Sequence, residues 1–517
     1  MLKSVFTVGG WTAASRVLGF VRDILTAALL GAGPVADAFF VALKLPNFFR
    51  RLFAEGAFSA AFVPAFSGTL VAEGREQARA LAEQVLAALA VLLFVLAGLA
   101  ILLMPQLMAV LAPGFRDDPL RYGLAVELSR VTFVYLPLIS VVSLLTGVLN
   151  GLDRFAAAAA APCLFNLCLI AALLAVGAEP ARQARAQSYA VAVSGGLQVA
   201  WLAWSVRAAG LGLRFPRPRL TAGVKRIAAL MLPGTIGAGV TQINLMVDVM
   251  LASLLPAGAV SWLYYADRVN QLPLGVIGIA LSTALLPLLS RQVRAGELAA
   301  ANAAQNRAVE FALLVTLPAA VALAVAGGPI IATLFARGAF AESDAHATAL
   351  ALAAYALGLP AYVLNKVLAP GFFARGDTAT PVRVGIATVL LNVLLSLLLI
   401  WPLAHVGLAL ATALAAIFNV ALLWSRLHRR RHFVLEPRLA GRLPRMVLAS
   451  LLMGAVLWAG QSLVWQPAMQ TGLRGLRWAG LGLLIALGLG AYGAAALALG
   501  ATRLDELRDL LRRRRRG

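Results

Sequence analysis

The sequence predicts an all-α integral membrane protein with about fourteen transmembrane helices. They are expected as two pseudo-symmetric six-helix lobes followed by two C-terminal helices. Three observations carry this: an apolar composition, a one-sided distribution of cations and an internal repeat. Hydrophobic residues make up 61% of the 517-residue chain and charged residues 13%, with mean hydropathy +0.86. A soluble domain carries about 25% charged residues, so this chain lacks the polar surface to fold in water alone.

Apolar spans are expected near 3–30, 35–66, 80–111, 128–150, 155–177, 188–210, 223–252, 258–292, 305–327, 345–373, 379–403, 405–426, 443–463 and 475–498. The first is not a cleaved signal peptide: Arg16, Arg22 and Asp23 interrupt it, and no small-residue cleavage site follows. Cys163 and Cys168 share one apolar span and read as small buried hydrophobes, not as a disulfide or metal site.

The net charge of +22 has a direction. Of the 44 Lys and Arg residues, 29 fall in connections or at span ends on the same side of the membrane as the N-terminus, 7 on the opposite side, and 8 deeper within spans. This is a strong positive-inside bias. It predicts a multi-pass protein with an even number of spans and both termini cytoplasmic. The arginine run at 512–516 is expected against anionic membrane lipids, and no nucleic-acid role is expected.

The repeat is visible in single residues. Asp23, Ala32-Gly33, Val35 and Phe39-Phe40 recur as Asp248, Ala257-Gly258, Val260 and Tyr264-Tyr265, at a constant offset of 225. A looser echo sets Asp153, Pro162 and Asn166 against Asp377, Pro381 and Asn392. An even number of spans separates the copies, so both halves share one orientation. The expected organisation is residues 1–215 and 216–430 as the two lobes, 431–500 as the extra helix pair and 501–517 as a basic cytoplasmic tail.

Charges within spans narrow the function. Each costs at least about 2.5–3.5 kcal/mol at mid-bilayer unless it pairs or faces water. Arg16 lies roughly 20 Å along its helix, deep in the hydrocarbon. Arg268 is similarly deep, and Lys44, Arg50 and Arg51 sit beside Pro46, which should bend span 2. Arg51 and Glu55 are spaced to pair with each other. Asp23 and Asp267 each adjoin an arginine, so an internal ion pair and a functional role both stand open for them. Arg16, Arg22, Arg50, Arg51 and Arg268 outnumber the nearby carboxylates. A cationic cavity in lipid calls for an anionic ligand, and guanidinium forks suit phosphate or pyrophosphate.

Enzyme motifs are absent from the sequence: there is no H-E-x-x-H, G-x-S-x-G or Walker A loop. His428 and His432 share an arginine-rich loop that would repel a metal. A carrier is expected rather than an enzyme, with no cofactor, driven by a coupling cation, the membrane potential or substrate consumption.

Several stretches in order carry a family resemblance. They are Ser15-Arg16-Val17-Leu18-Gly19-Phe20 with Arg22-Asp23, and Gly31-Ala32-Gly33 with Asp37-Ala38-Phe39-Phe40. The most specific runs from Lys44-Leu45-Pro46-Asn47 through Arg50-Arg51-Leu52-Phe53-Ala54-Glu55-Gly56. Tyr264-Tyr265-Ala266-Asp267-Arg268, Leu334-Phe335-Ala336-Arg337-Gly338-Ala339-Phe340 and Lys366-Val367-Leu368-Ala369-Pro370-Gly371 continue the series. Together they resemble the MurJ (MviN) lipid II flippases, within the multidrug/oligosaccharidyl-lipid/polysaccharide exporter superfamily, over nearly the whole chain.

The resemblance implies movement of lipid II, the undecaprenyl-pyrophosphate-linked peptidoglycan precursor, to the outer leaflet by alternating access. It implies that Arg16, Arg22 and Arg268 hold the pyrophosphate, that Asp37 and Arg50 or Arg51 are functionally sensitive, and that Ser15, Asp23 and Ser261 belong to the same candidate set. Some members resemble sodium-coupled carriers. Asp248 fits one ligand of such a site, and Asp377 and Asn392 are candidates for others, but Val393 stands where a hydroxyl is expected. Cell-wall synthesis proteins are candidate partners. The rival readings are an exporter of another lipid-linked glycan or of cationic drugs, and a non-transporting membrane scaffold.

Overall fold

The computed structural model describes residues 2–51, 57–470 and 474–502. The Arg51–Glu55 pairing, the motif stretch 52–56 and the arginine run at 512–516 lie outside the described residues. The chain divides into two compact units, Met1–Ser261 with Arg337–Ala341, and Trp262–Ala336 with Glu342–Gly517.

The first unit holds α1 (Leu2–Leu30), α2 (Pro34–Phe49), α3 (Ala57–Ala72), α4 (Arg75–Leu102), α5 (Met104–Leu111), α6 (Pro119–Phe133), α7 (Tyr135–Gly151), α8 (Phe155–Ala175), α9 (Pro180–Ala208) and α10 (Ala222–Ser253). Local signals set several ends. Pro34, Pro119 and Pro180 open their helices, where a missing N–H costs nothing. The Asp118 carboxylate accepts from the backbone N–H of Leu120 and Arg121, each at 3.1 Å, and caps α6. α1 ends at Gly31, whose φ of +69° is left-handed and whose N–H donates to the Ala27 carbonyl at 2.8 Å. A side chain at Gly31 would also collide with the backbone carbonyl of Ala339, 2.3 Å from an ideal Cβ. Two motif stretches some 300 positions apart in the sequence thus dock on each other, and the Ala339 N–H donates to the Ala28 carbonyl at 2.8 Å.

Two expected spans divide. The run 35–66 becomes α2 and α3, with π-type winding already at Arg50 and Arg51. Pro46 lies buried four residues earlier, where its missing N–H frees the Ala42 carbonyl in the turn before it, and that carbonyl accepts from the Thr132 hydroxyl at 2.9 Å. The run 80–111 becomes α4 and α5, broken at Leu103 ahead of Pro105.

α3 packs on α7 and α10, α7 on α9, and α8 on α1 and α9. Phe58, Phe62 and Phe66 stack along one face of α3 with centroids 5.2 and 5.7 Å apart. Gly147 and Gly151 of α7 receive them: an added Cβ would come within 2.8 Å of the Phe62 ring and 2.6 Å of the Phe66 ring. Small residues that let helices approach are the usual packing device in lipid, where hydrophobicity alone does not drive helices together.

The second unit holds α11 (Ala259–Arg294), whose first three residues fall in the first unit, then α12 (Leu298–Val325), α13 (Gly327–Phe335), α14 (Glu342–Phe373), α15 (Ala379–Arg429), α16 (Pro437–Gly460), α17 (Gln466–Gln470) and α18 (Arg474–Ala498). α15 covers two expected spans. They meet at Ala404, with φ 47° and ψ −128°, the residue where the sequence places the break. The core joins Leu289, Val309, Val367, Leu427, Phe433 and Met446. α16 packs on α12, and α18 on α16. Glu310 of α12 pairs with Arg442, and with Arg438 at 3.4 Å.

Among the described residues nine helices are long and apolar enough to cross a membrane. One of them, Ala379–Arg429, spans the Ala404 break, and Phe58–Ala72 and Gln242–Ser253 add shorter apolar helices. The described residues contain no strand. The chain has the all-helical, multi-pass membrane architecture that its composition requires.

Candidate functional site

The first unit carries two buried polar constellations. One centres on Asp37, in the first turn of α2 and fully buried. Its carboxylate accepts from the Ser261 N–H at 2.8 Å, the Ser261 hydroxyl at 2.6 Å and the Gly258 N–H at 2.8 Å. It also pairs with Arg121 of α6 at 2.6 Å. Asp37 therefore satisfies backbone donors at the start of α11, which would otherwise be orphaned there. The Arg121 guanidinium lies 3.8 Å from the Phe115 ring centroid and donates to the Leu255 carbonyl at 3.4 Å. Removing either partner of such an ion pair strands a buried charge at a cost of about 3–5 kcal/mol.

The second constellation ties α1 to α8. Arg22 is buried and donates to the Asp23 carboxylate, with its closest contact at 2.6 Å, and to the Asn166 carbonyl at 3.0 Å. Its guanidinium lies 5.6 Å from the Phe165 ring. Asn166 donates in turn to the Ser15 backbone carbonyl at 3.0 Å and stands 3.4 Å from the Ser15 hydroxyl. Gly19 leaves room for it: a Cβ there would sit 3.5 Å from Asn166. About two turns of α1, from Ser15 to Arg22, thus close on one asparagine. Thr26, one turn beyond Arg22, donates to Gln187 of α9 at 3.1 Å.

The remaining first-unit candidates are less enclosed. Arg16 is exposed, as is Arg51. Arg50 is half-buried and donates to Asn47 at 3.1 Å. Asp248, on α10, accepts from Asn244 at 3.4 Å.

In the second unit, Arg268 is half-buried. It donates to the Tyr264 hydroxyl at 3.0 Å and lies 4.8 Å from that ring. Asp267 accepts from Gln271 one turn on. Asp377 precedes α15 and accepts from the Thr380 N–H at 2.9 Å, the Thr380 hydroxyl at 2.7 Å and Arg430 at 2.5 Å. The Thr380 hydroxyl and backbone, then Arg430, hold its carboxyl well below the ordinary carboxylate range. Asn392 is buried in α15. Among the described residues no three His, Cys, Asp or Glu side chains gather as metal donors.

The geometry joins Ser15, Arg22 and Asp23 in one network and Asp37 with Ser261 in another. It gives Asp23 the internal ion pair that was one of its two open readings. Arg121, Asn166 and Gly258 complete these networks, although sequence reasoning set none of them among the site candidates. Arg121 reads as a loop cation two residues after Pro119, and only its helix register and burial reveal it. Asn166 had one signal, its place in the looser internal echo.

Residues 26–474 match the model of a family described as Lipid II flippase MurJ. Two probable lipid II flippases align along the full length. The one from Rhizobium tropici is 44% identical and covers 100% of this chain and 97% of its own. The one from Rhizobium meliloti (strain 1021) is 43% identical and covers 99% and 96%. Among solved structures, a lipid II flippase MurJ in an inward closed conformation superposes with a TM-score of 0.78 at 25% identity, over 98% of this chain and 99% of that one. An inward-facing multidrug-resistance transporter of the MATE family superposes with a TM-score of 0.67 at 16% identity, over 81% and 95%, and shares the fold.

Proposed function

The chain belongs to the lipid II flippase MurJ family, and from that membership we propose that it moves lipid II from the cytoplasmic to the outer leaflet of the inner membrane by alternating access. The full-length match to flippases carries this reading. It belongs to a transporter family, not an enzyme family. The substrate's charge sits on its pyrophosphate, which cannot cross hydrocarbon uncompensated. Arg16, Arg22 and Arg268 are the cations proposed to hold it. Arg16 is exposed and Arg268 half-buried, which supports direct contact. The enclosed position of Arg22 supports a second duty, fixing α1 against α8.

The Asp37 constellation is proposed as the part that must change between states. Its carboxylate binds the start of α11, whose body carries Arg268, so releasing that cap frees the helix. Arg50 and Arg51 are proposed as further sensitive residues. Asp248, Asp377 and Asn392 remain candidates for a coupling cation, with the membrane potential as the alternative drive. The charge bias supports cytoplasmic termini, and cell-wall synthesis proteins are proposed partners.

Reconstitution tests this reading. Purified protein in liposomes should move lipid II across the bilayer, and Arg268→Ala should abolish movement while remaining inserted. Movement of other polyprenyl-linked glycans but not of lipid II would reassign the substrate. No movement by well-inserted protein would favour the scaffold.

A further inference from the structure

The first unit contains a cavity of about 470 Å³ that the flippase reading does not use. It lies among Thr7 of α1, Asp153, Arg154 and Phe155 at the α7–α8 turn, and Trp204 and Ser205 near the end of α9. This is within the usual range for small-molecule sites, about 300–1,000 Å³.

The turn exposes its charges. Asp153 has φ 57°, a left-handed conformation that Asp tolerates better than most residues. Its N–H donates to the Asn150 carbonyl at 3.1 Å, and the Arg154 N–H donates to the Leu149 carbonyl at 2.8 Å. These backbone bonds close α7. Both side chains are exposed, and neither makes an ion pair or hydrogen bond with a described residue. Arg154 stands at the N-cap of α8 and provides no side-chain cap.

The aromatic wall is divided in the same way. The Trp201 indole N–H donates to the Ala157 carbonyl at 3.1 Å and fastens α9 to α8. Trp204 has its centroid 5.6 Å from that of Trp201 and is 63% exposed at the cavity. Exposed tryptophans mark headgroup depth in membrane proteins, and the charge bias puts this end on the cytoplasmic side.

The corresponding turn of the second half lacks this openness. Asp377, the echo of Asp153, is taken up by Thr380 and Arg430. The first-half turn presents the carboxylate without those partners, with a cation beside it.

We propose that this cavity binds the headgroup of an ethanolamine phospholipid of the cytoplasmic leaflet. Arg154 takes the phosphate through its guanidinium fork. Asp153 accepts from the primary ammonium, which has three N–H donors to give. Trp204 and Phe155 cover the glycerol and the first acyl carbons. One cation beside one anion matches a zwitterion better than a purely anionic lipid, and a quaternary ammonium has no N–H to donate.

The test uses the full chain, stripped of lipid in neutral detergent and titrated with dioleoyl phosphatidylethanolamine, phosphatidylcholine or phosphatidylglycerol under native mass spectrometry. The wild type should retain phosphatidylethanolamine best. Arg154→Ala should weaken it about tenfold or more, the scale of a lost charge-assisted hydrogen bond. Asp153→Asn keeps a residue that tolerates the left-handed turn and should reduce phosphatidylethanolamine to the level of phosphatidylcholine. Brominated phosphatidylethanolamine should quench tryptophan emission in the wild type and less in Trp204→Phe. Arg185→Ala, which breaks a separate surface pair with Glu127, should change nothing. Equal retention of all three lipids, a preference for phosphatidylglycerol, or an unchanged preference in Asp153→Asn would each overturn the proposal.

Discussion

Asp37 and Asp377 are bound by the same kinds of donor and do different work. Each accepts from a backbone N–H, a hydroxyl on that same residue and an arginine. For Asp377 the first two come from Thr380, three residues on. For Asp37 they come from Ser261, 224 residues on. Asp37 and Arg121 have side-chain exposures of 0% and 4%, whereas Asp377 and Arg430 have 23% and 45%. Local spacing and solvent make the second a helix cap that water can replace. Distance along the chain and full burial make the first a tertiary fastening with no such substitute.

The largest effect should come from breaking the buried pair. Arg121→Ala leaves the Asp37 charge without its cation, so it should lower stability by about 3–5 kcal/mol, read as a fall in the melting temperature of detergent-solubilised protein. Asp37→Asn combined with Arg121→Met removes both charges and should lose much less than the two single changes together. Full additivity would show that the residues do not act as a pair.

A middle effect separates the arginines. Arg22→Ala removes the buried ion pair with Asp23 and the bond to Asn166, so stability and transport should fall together. Arg268→Ala acts at a half-buried position, so transport should fall with the melting temperature shifted less than in Arg22→Ala. Equal thermal losses in both variants would erase this distinction.

The smallest effect belongs to Asp377. Its folded carboxyl titrates below the ordinary value, so its contribution is complete above about pH 4 and fades as the pH falls below that. Asp377→Asn should barely change stability at pH 7, and the difference from wild type should vanish in acid. Amide exchange in the first turn of α15 checks this, and a large neutral-pH loss would contradict the view of a local cap.

The contrast also explains what the sequence could disclose. Hydropathy marks most of the spans, and the gap it leaves at Ala404 is where the backbone of α15 breaks. Asp37 and Ser261 stand out in the sequence singly, but their contact does not, because nothing periodic links positions 37, 121 and 261. The divided second span shows the limit of apolar runs. It is apolar overall despite Asp37, Lys44, Arg50, Arg51 and Glu55, and Pro46 with the pair Arg50-Arg51 is the signal that the helix does not continue unbroken. Asn166 shows the same limit from the polar side: one amide fixes Arg22 and the Ser15 backbone together, and although the looser echo includes Asn166, nothing in its spacing from Ser15 and Arg22 signals that contact.

The most direct test of the central claim measures lipid II exposed on the outer leaflet of bacteria depleted of their own flippase and expressing this protein or its Arg268→Ala variant. Exposure should be restored by the wild type and absent with an equally abundant variant. A wild type that inserts normally and restores nothing would contradict the flippase assignment, and restoration by both would contradict the role given to Arg268.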